Sequence, residues 1–206
     1  MSNKKKIKNN DTTQNVNIFN IVEDRYDSGK LKTLFFVKEG RSVMKVVNVN
    51  GTNKVALGII DGHVEEFHEN GKRKASYSYT NGQVDGVVEA FDENGKLIEH
   101  SIVKNGKREG RDEVFHENGK VARRTNWKND KLNGKFEEYY ESGALKQRSN
   151  YKNGLRHGVV EYFDENGNLE ERSNFKNGER DGLTEAWNET GKLVYSANYK
   201  DGVQID

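Results

Sequence analysis

The sequence predicts an all-β fold, an elongated antiparallel array of serial β-hairpins, and three observations carry that prediction. A block of 24 residues recurs six times from Gly62 onward without insertion or deletion, in step with Gly62, Gly86, Gly110, Gly134, Gly158 and Gly182 and with Gly71, Gly95, Gly119, Gly143, Gly167 and Gly191. Each block holds two turn signals separated by stretches of strand length, which leaves no room for a helix. Aromatic residues recur at fixed phase inside the block. A chain with 32% hydrophobic and 33% charged residues and a mean hydropathy of −1.03 therefore has a periodic core, despite a composition close to that of disordered chains.

In chain order, residues 1–19 begin Met1-Ser2-Asn3-Lys4-Lys5-Lys6, lack periodicity and read as a flexible polar and basic tail. A native Met1 would suit a cytoplasmic protein. A tail trimmed after a lipid-bearing Cys, which Ser-Asn-Lys-Lys resembles, would place the protein on the cell envelope or surface. Residues 20–61 read as degenerate N-terminal capping repeats. Tyr26-Asp27-Ser28-Gly29-Lys30-Leu31 matches Phe91 to Leu97 with one residue missing, and Val37-Lys38-Glu39-Gly40 matches Tyr151-Lys152-Asn153-Gly154. The β-prone stretch Val43–Ile60 reads as a hairpin turning at Asn50-Gly51. Residues 62–206 are the six regular repeats.

Numbered from the first glycine, position 4 of the repeat is always Glu: Glu65, Glu89, Glu113, Glu137, Glu161 and Glu185. Position 6 is always aromatic: Phe67, Phe91, Phe115, Tyr139, Phe163 and Trp187. Positions 8–11, Glu-Asn-Gly-Lys in three copies, describe a type I turn that closes on a left-handed glycine. In a three-residue turn opposing positions sum to 18. The aromatic then faces position 12, which is apolar except at Arg73, and strand alternation would put position 18 on the same face (Tyr79, Val103, Trp127, Tyr151, Phe175, Tyr199). Lys-Asn-Gly at positions 19–21, with Asp130 replacing one glycine, turns the chain into the next hairpin. Two strands per repeat advance the array roughly 10 Å, so six repeats predict a ribbon about 60 Å long.

The candidate chemistry is sparse. Thirty-four basic against thirty-three acidic residues leave a net charge of +1, which argues against nucleic acid as a partner. No cysteine is present, and no apolar run has the length of a membrane-spanning helix. His63, His68, His100, His116 and His157 are too dispersed to converge on a metal and read as solvated residues at turn edges. The six glutamates, about 10 Å apart by strand spacing, are too far apart to act as a carboxylate dyad. They read as acceptors for turn amides of the neighbouring repeat, and a cationic partner is the functional alternative. Lys104, Lys128, Lys152, Lys176 and Lys200 at position 19, and Arg124, Arg148 and Arg172 at position 15, form basic rows. Solubility is the expected use, and contact with anionic lipid or acidic protein the alternative. No phosphate loop, dinucleotide fingerprint or nucleophile elbow occurs, so neither cofactor nor catalytic residue is expected.

The run Tyr151-Lys152-Asn153-Gly154-Leu155-Arg156-His157-Gly158, followed by Glu161-Tyr162-Phe163-Asp164-Glu165-Asn166-Gly167, resembles the MORN repeat (membrane occupation and recognition nexus) in its bacterial variant form. The resemblance is close over residues 62–205 and loose over 20–61. It implies a non-catalytic scaffold of hairpins that binds proteins, dimerises or in some cases contacts lipid. Bacterial members suggest antitoxins or immunity partners of secreted toxins, and others envelope lipoproteins. The expected partner is a protein. One candidate surface is the outer strand with Leu193, Val194, Tyr195 and Tyr199, which could meet a second copy of the chain or a partner's strand.

Overall fold

A computed structural model describes residues 19–38, 46–49, 52–55 and 62–205. All regular structure in these residues is antiparallel β-strand, as serial hairpins require. Two compact units divide the chain, residues 1–97 with 103–106, and residues 98–102 with 107–206.

In the first unit, strand Phe19–Arg25 pairs with Leu31–Lys38, which pairs in turn with Gly62–Phe67. Gly62–Phe67 forms a hairpin with Arg73–Thr80, and the array continues to Gly86–Phe91. The hairpin of residues 19–38 keeps the spacing of the regular hairpins with no residue missing. Tyr26 stands at position 7, since its N–H bonds Lys30 O and Gly29 N–H bonds Tyr26 O, the pattern His68 makes with Lys72 and Gly71. Its hydroxyl donates to Phe67 O at 2.9 Å, as Tyr140 donates to Phe163 O from the same position. The alignment of Tyr26 with position 6 is thereby corrected. What breaks the period is a segment inserted after Lys38, in which Val46–Val49 and Thr52–Val55 pair as a separate two-stranded sheet. The rest of the expected Val43–Ile60 hairpin, the match at Glu39-Gly40 and tail residues 1–18 lie outside the described residues. Phe19, counted with the tail, begins the first strand.

In the second unit, hairpins Gly110–Phe115/Val121–Lys128, Lys131–Tyr139/Leu145–Lys152, Gly158–Phe163/Leu169–Lys176 and Glu179–Trp187/Leu193–Lys200 pair in succession. Both turn types follow from local chemistry. Within a hairpin, the N–H of the position 10 glycine bonds the carbonyl of position 7, and these glycines take φ between +75° and +90°. Between hairpins, Asn at position 20 (Asp201 in the last repeat) has φ near +50° and is followed by a second residue of positive φ, the type I′ turn that matches strand twist. The turns also stack on one another. The N–H groups of Gly154 and Gly178 reach the carbonyls of Leu132 and Arg156, one repeat back.

The register explains where the core sits. Phe163 faces Leu169, the 6-to-12 pairing expected from a three-residue turn, but a β-bulge between positions 5 and 6 then shifts every earlier pair by one residue. Position 4 therefore faces 15, position 3 faces 16 and position 1 faces 18, as Glu161↔Arg172, Val160↔Ser173 and Gly158↔Phe175 show. The shift reverses the side on which position 18 lies. Its aromatics share a face with positions 3, 14 and 16, not with the position 6 ring. The Trp127 indole N–H donates to Thr125 Oγ1 at 2.9 Å, and the Tyr151 and Phe136 rings are 5.7 Å apart. This face holds the most buried side chains: Val64, Asp112, Val160 and Thr184 at position 3, and Ser101, Thr125, Ser149, Ser173 and Ala197 at position 16. Small residues beneath large rings make a thin core. The Tyr77 hydroxyl, packed here, is pushed upward in pKa by burial and by its 2.6 Å bond to Glu66.

Candidate functional site

On the opposite face the glutamates and arginines read as separate rows in the sequence form one ladder. Register places them directly across from one another in the order His100, Glu113, Arg124, Glu137, Arg148, Glu161, Arg172, Glu185. Arg124 donates from Nε to Glu113 at 2.9 Å and from Nη1 to Glu137 at 3.4 Å, while Arg148 and Arg172 both donate to Glu161. Arg124 and Arg148 also lie over the position 6 rings of the next repeat, 5.8 Å from Tyr139 and 5.4 Å from Phe163. In the first unit, Arg73 at position 12 fills this place, 2.8 Å from Glu65 and 5.7 Å from the Phe91 ring. The exception to the apolar row is thus a working part of the ladder.

At Glu65, Glu113, Glu137 and Glu161 the acceptors are satisfied by guanidinium groups rather than turn amides, which corrects the expectation there. Arginine suits the task because its planar fork can bond a carboxylate and stack on an aromatic ring together. The Arg148 hydrogen bond holds Glu161 below the usual carboxylate range; burial opposes this, and Arg172 adds to it. At Glu113 burial pushes upward, and the bonds from Arg111 and Arg124 outweigh it.

The turn-edge histidines are also structural. His68 and His116, half-buried at position 7, bond from Nε2 to the Phe91 and Tyr139 carbonyls of the next repeat, both at 2.9 Å. A carbonyl can only accept, which fixes the proton on Nε2. Where position 7 is Asp, the side chain instead caps its own turn. The backbone N–H of Lys96, and then that of Asn94, hold the Asp92 carboxyl below its ordinary value.

Trp187, Phe115 and Phe67 occupy half-buried position 6 sites as the repeat pattern requires, while Glu89 lies opposite Ser76 and Glu185 opposite Arg172. At the outer strand Leu193–Lys200, the backbone pairs with Val203–Gln204 only at Tyr199 and Lys200, and Ile205 N–H bonds Asn198 O. Leu193, Val194 and Tyr195 are 45%, 60% and 40% exposed. Tyr199 is engaged otherwise: Arg180 lies 5.6 Å over its ring, and its hydroxyl is 2.7 Å from that of Tyr195. Among the described residues no group of His, Asp and Glu could hold a metal, and no helix is long and apolar enough to cross a membrane.

The variant form of the MORN repeat matches the chain six times in succession, at residues 60–81, 84–105, 108–129, 132–153, 156–177 and 180–201. The chain belongs to the MORN repeat variant family. The matched segments span well over half of the 206 residues and share the period of the hairpins. No curated protein matches the chain. MORN repeats are generally non-catalytic modules that bind proteins or membranes. The ladder accords with that role: at Glu113 and Glu161 the carboxylates are neutralised by guanidinium groups and held ionised, the reverse of what a general acid requires.

Proposed function

We propose that this MORN array is a protein-binding scaffold whose working surface includes the outer strand Leu193–Lys200. The observation that carries the reading is the apolar, half-open edge there, with Leu193, Val194 and Tyr195 exposed beside backbone groups unpaired by Val203–Gln204. A partner's strand, or the same edge of a second copy, would complete it. An antitoxin or immunity-type role, in which the scaffold masks a toxin, is the finer form of this proposal.

Light scattering across a concentration range tests the edge, with Val194→Lys measured beside the parent chain. Pull-down from the source cell and sequencing of the captured protein tests the partner class. A monomeric parent whose captured partner binds Val194→Lys unchanged would overturn the edge reading. Capture of a toxin would support the finer form, whereas recovery of the parent in a washed membrane fraction would favour an envelope-attached scaffold.

A further inference from the structure

Arg108, Arg156 and Arg180 occupy position 23 of their repeats. Each lies over the position 18 ring of the repeat that follows, 5.1 Å from Trp127, 5.5 Å from Phe175 and 5.6 Å from Tyr199. Two of them reach a carboxylate nine residues earlier, at position 14. Arg108 Nη2 is 3.5 Å from Glu99, and Arg180 Nη2 is 3.0 Å from Glu171. Nine residues before Arg156 stands Gln147.

The exchange removes the counter-charge and leaves two signs of its absence. Gln147 is 7% exposed, and its Nε2 has no hydrogen-bond partner. Around Arg156 the polar neighbours are the hydroxyls of Tyr151, 3.4 Å from Nε, and of Tyr162. Register puts Tyr151 across from Arg156 and Gln147 across from Tyr162, so all four belong to one face. A cavity of about 340 Å³ opens beside Arg156 and Tyr162 and is bounded also by Phe175 and Arg180; Gln147 does not line it but stands across the strand pair from Tyr162, which does. Of the two glutamates on its rim, Glu171 is already bonded to Arg180 and Ser173, and Glu170 is exposed on the strand.

A buried amide donor without an acceptor is costly, and so is a guanidinium drawn from water without a counter-ion. One ligand removes both costs. We propose that Arg156 and Gln147 form a carboxylate-binding site, the guanidinium taking the carboxylate oxygens and the Gln147 amide donating a further bond. Within this array the site is specific to one repeat, because Glu99 and Glu171 supply the carboxylate internally to the other two arginines. It stands apart from the outer-strand proposal and survives the failure of that reading.

The carboxylate could come from an acidic side chain of a bound protein or from a free organic acid. Arginine-selective Nε–H NMR spectra of the full chain distinguish these, with succinate as one probe and an acetylated, amidated peptide carrying a single central Asp as the other. The same peptide with Asn is the control. Saturable movement of the Arg156 signal is expected, with Arg108 unmoved and Arg180, which borders the same cavity, moving less; stronger binding of the peptide assigns a protein source, and of succinate a free acid. Gln147→Glu, which installs the residue the fold already accepts at 99 and 171, is expected to weaken binding on the order of tenfold to a hundredfold, as is Arg156→Gln. Thermal melting of both variants checks that they are folded. Failure of both probes to saturate, equal movement of all three arginines, or unchanged binding by Gln147→Glu overturns the proposal.

Discussion

Arg172 stands directly opposite Glu161 and also opposite Glu185, yet its guanidinium is committed to Glu161, with Nη2 2.9 Å from Oε1. Glu161 is 5% exposed and takes a second bond from Arg148, whereas both arginines are about half exposed. Removing a buried partner strands the opposing charge, but partners this exposed recover water, so the full cost of a buried pair does not apply. Glu161→Ala is expected to destabilise by about 1–2 kcal/mol, and Glu185→Ala by less than about 0.5 kcal/mol. Urea denaturation of the two variants checks the order, and equal losses would show that the ladder does not distinguish its rungs.

The same carboxylates make stability depend on acid. Glu113 and Glu161 are depressed below 4.5 in the folded chain, so the unfolded chain binds protons first as pH falls. Their contribution is fully present above 4.5 and is lost as pH falls through the lower folded values. The denaturation midpoint is therefore expected to hold steady from about pH 7 to about pH 5 and to decline below that. Glu161→Gln should flatten the decline. High salt should shrink it only in part, because screening acts weakly on the buried carboxylate. A decline as steep in Glu161→Gln as in the parent would assign it to other groups.

Much of this architecture was legible in the sequence, because glycine at position 10 and Asn-Gly at 20–21 are local requirements that need no tertiary context. The faces were not. One bulge residue at position 13 reverses the alternation, and nothing in the spacing of Phe163, Leu169 and Phe175 reveals it. The signal that could have done so was the row Ser101, Thr125, Ser149, Ser173 and Ala197: small residues at position 16 in five of the six repeats, with Tyr77 the exception, mark a packed face that the aromatic rows do not. The glutamate and arginine rows were visible singly, but pairing them needed the shifted register that places 4 against 15. The position 23 arginines occur in only three repeats, so no continuous row marks them in the sequence, and the rings they cover belong to the repeat that follows.

Asp130 is the one side chain among the second residues of the type I′ turns. It has φ +62° where other repeats place glycine, a conformation costing a side-chain-bearing residue about 1–2 kcal/mol. Its Oδ1 offsets this by accepting the Arg108 backbone N–H at 2.7 Å. Asp130→Gly exchanges one gain for the other and is expected to leave the melting free energy within about 0.5 kcal/mol of the parent. Asp130→Ala keeps the strain and loses the bond, for a cost of about 1 kcal/mol. If the alanine variant matched the parent, the carboxylate bond would contribute nothing.

Gly143 and Gly167 test the other turn under different crowding. Both hold φ near +90°, at +90° and +86°. A Cβ at Gly143 would meet Lys120 Cδ at 3.3 Å, whereas one at Gly167 meets nothing within 4 Å. The lysine is a flexible chain on the surface and can swing aside, so backbone conformation and not space should govern both sites. Valine at either position is expected to cost about 1–3 kcal/mol, since a β-branched residue enters the left-handed region only under strain. Asparagine, which tolerates that region, should cost markedly less at both. Chemical denaturation of the four variants decides: a valine penalty at 143 well above that at 167 would mean that crowding against Lys120 dominates, and equal penalties for Asn and Val would remove left-handed strain as the cause.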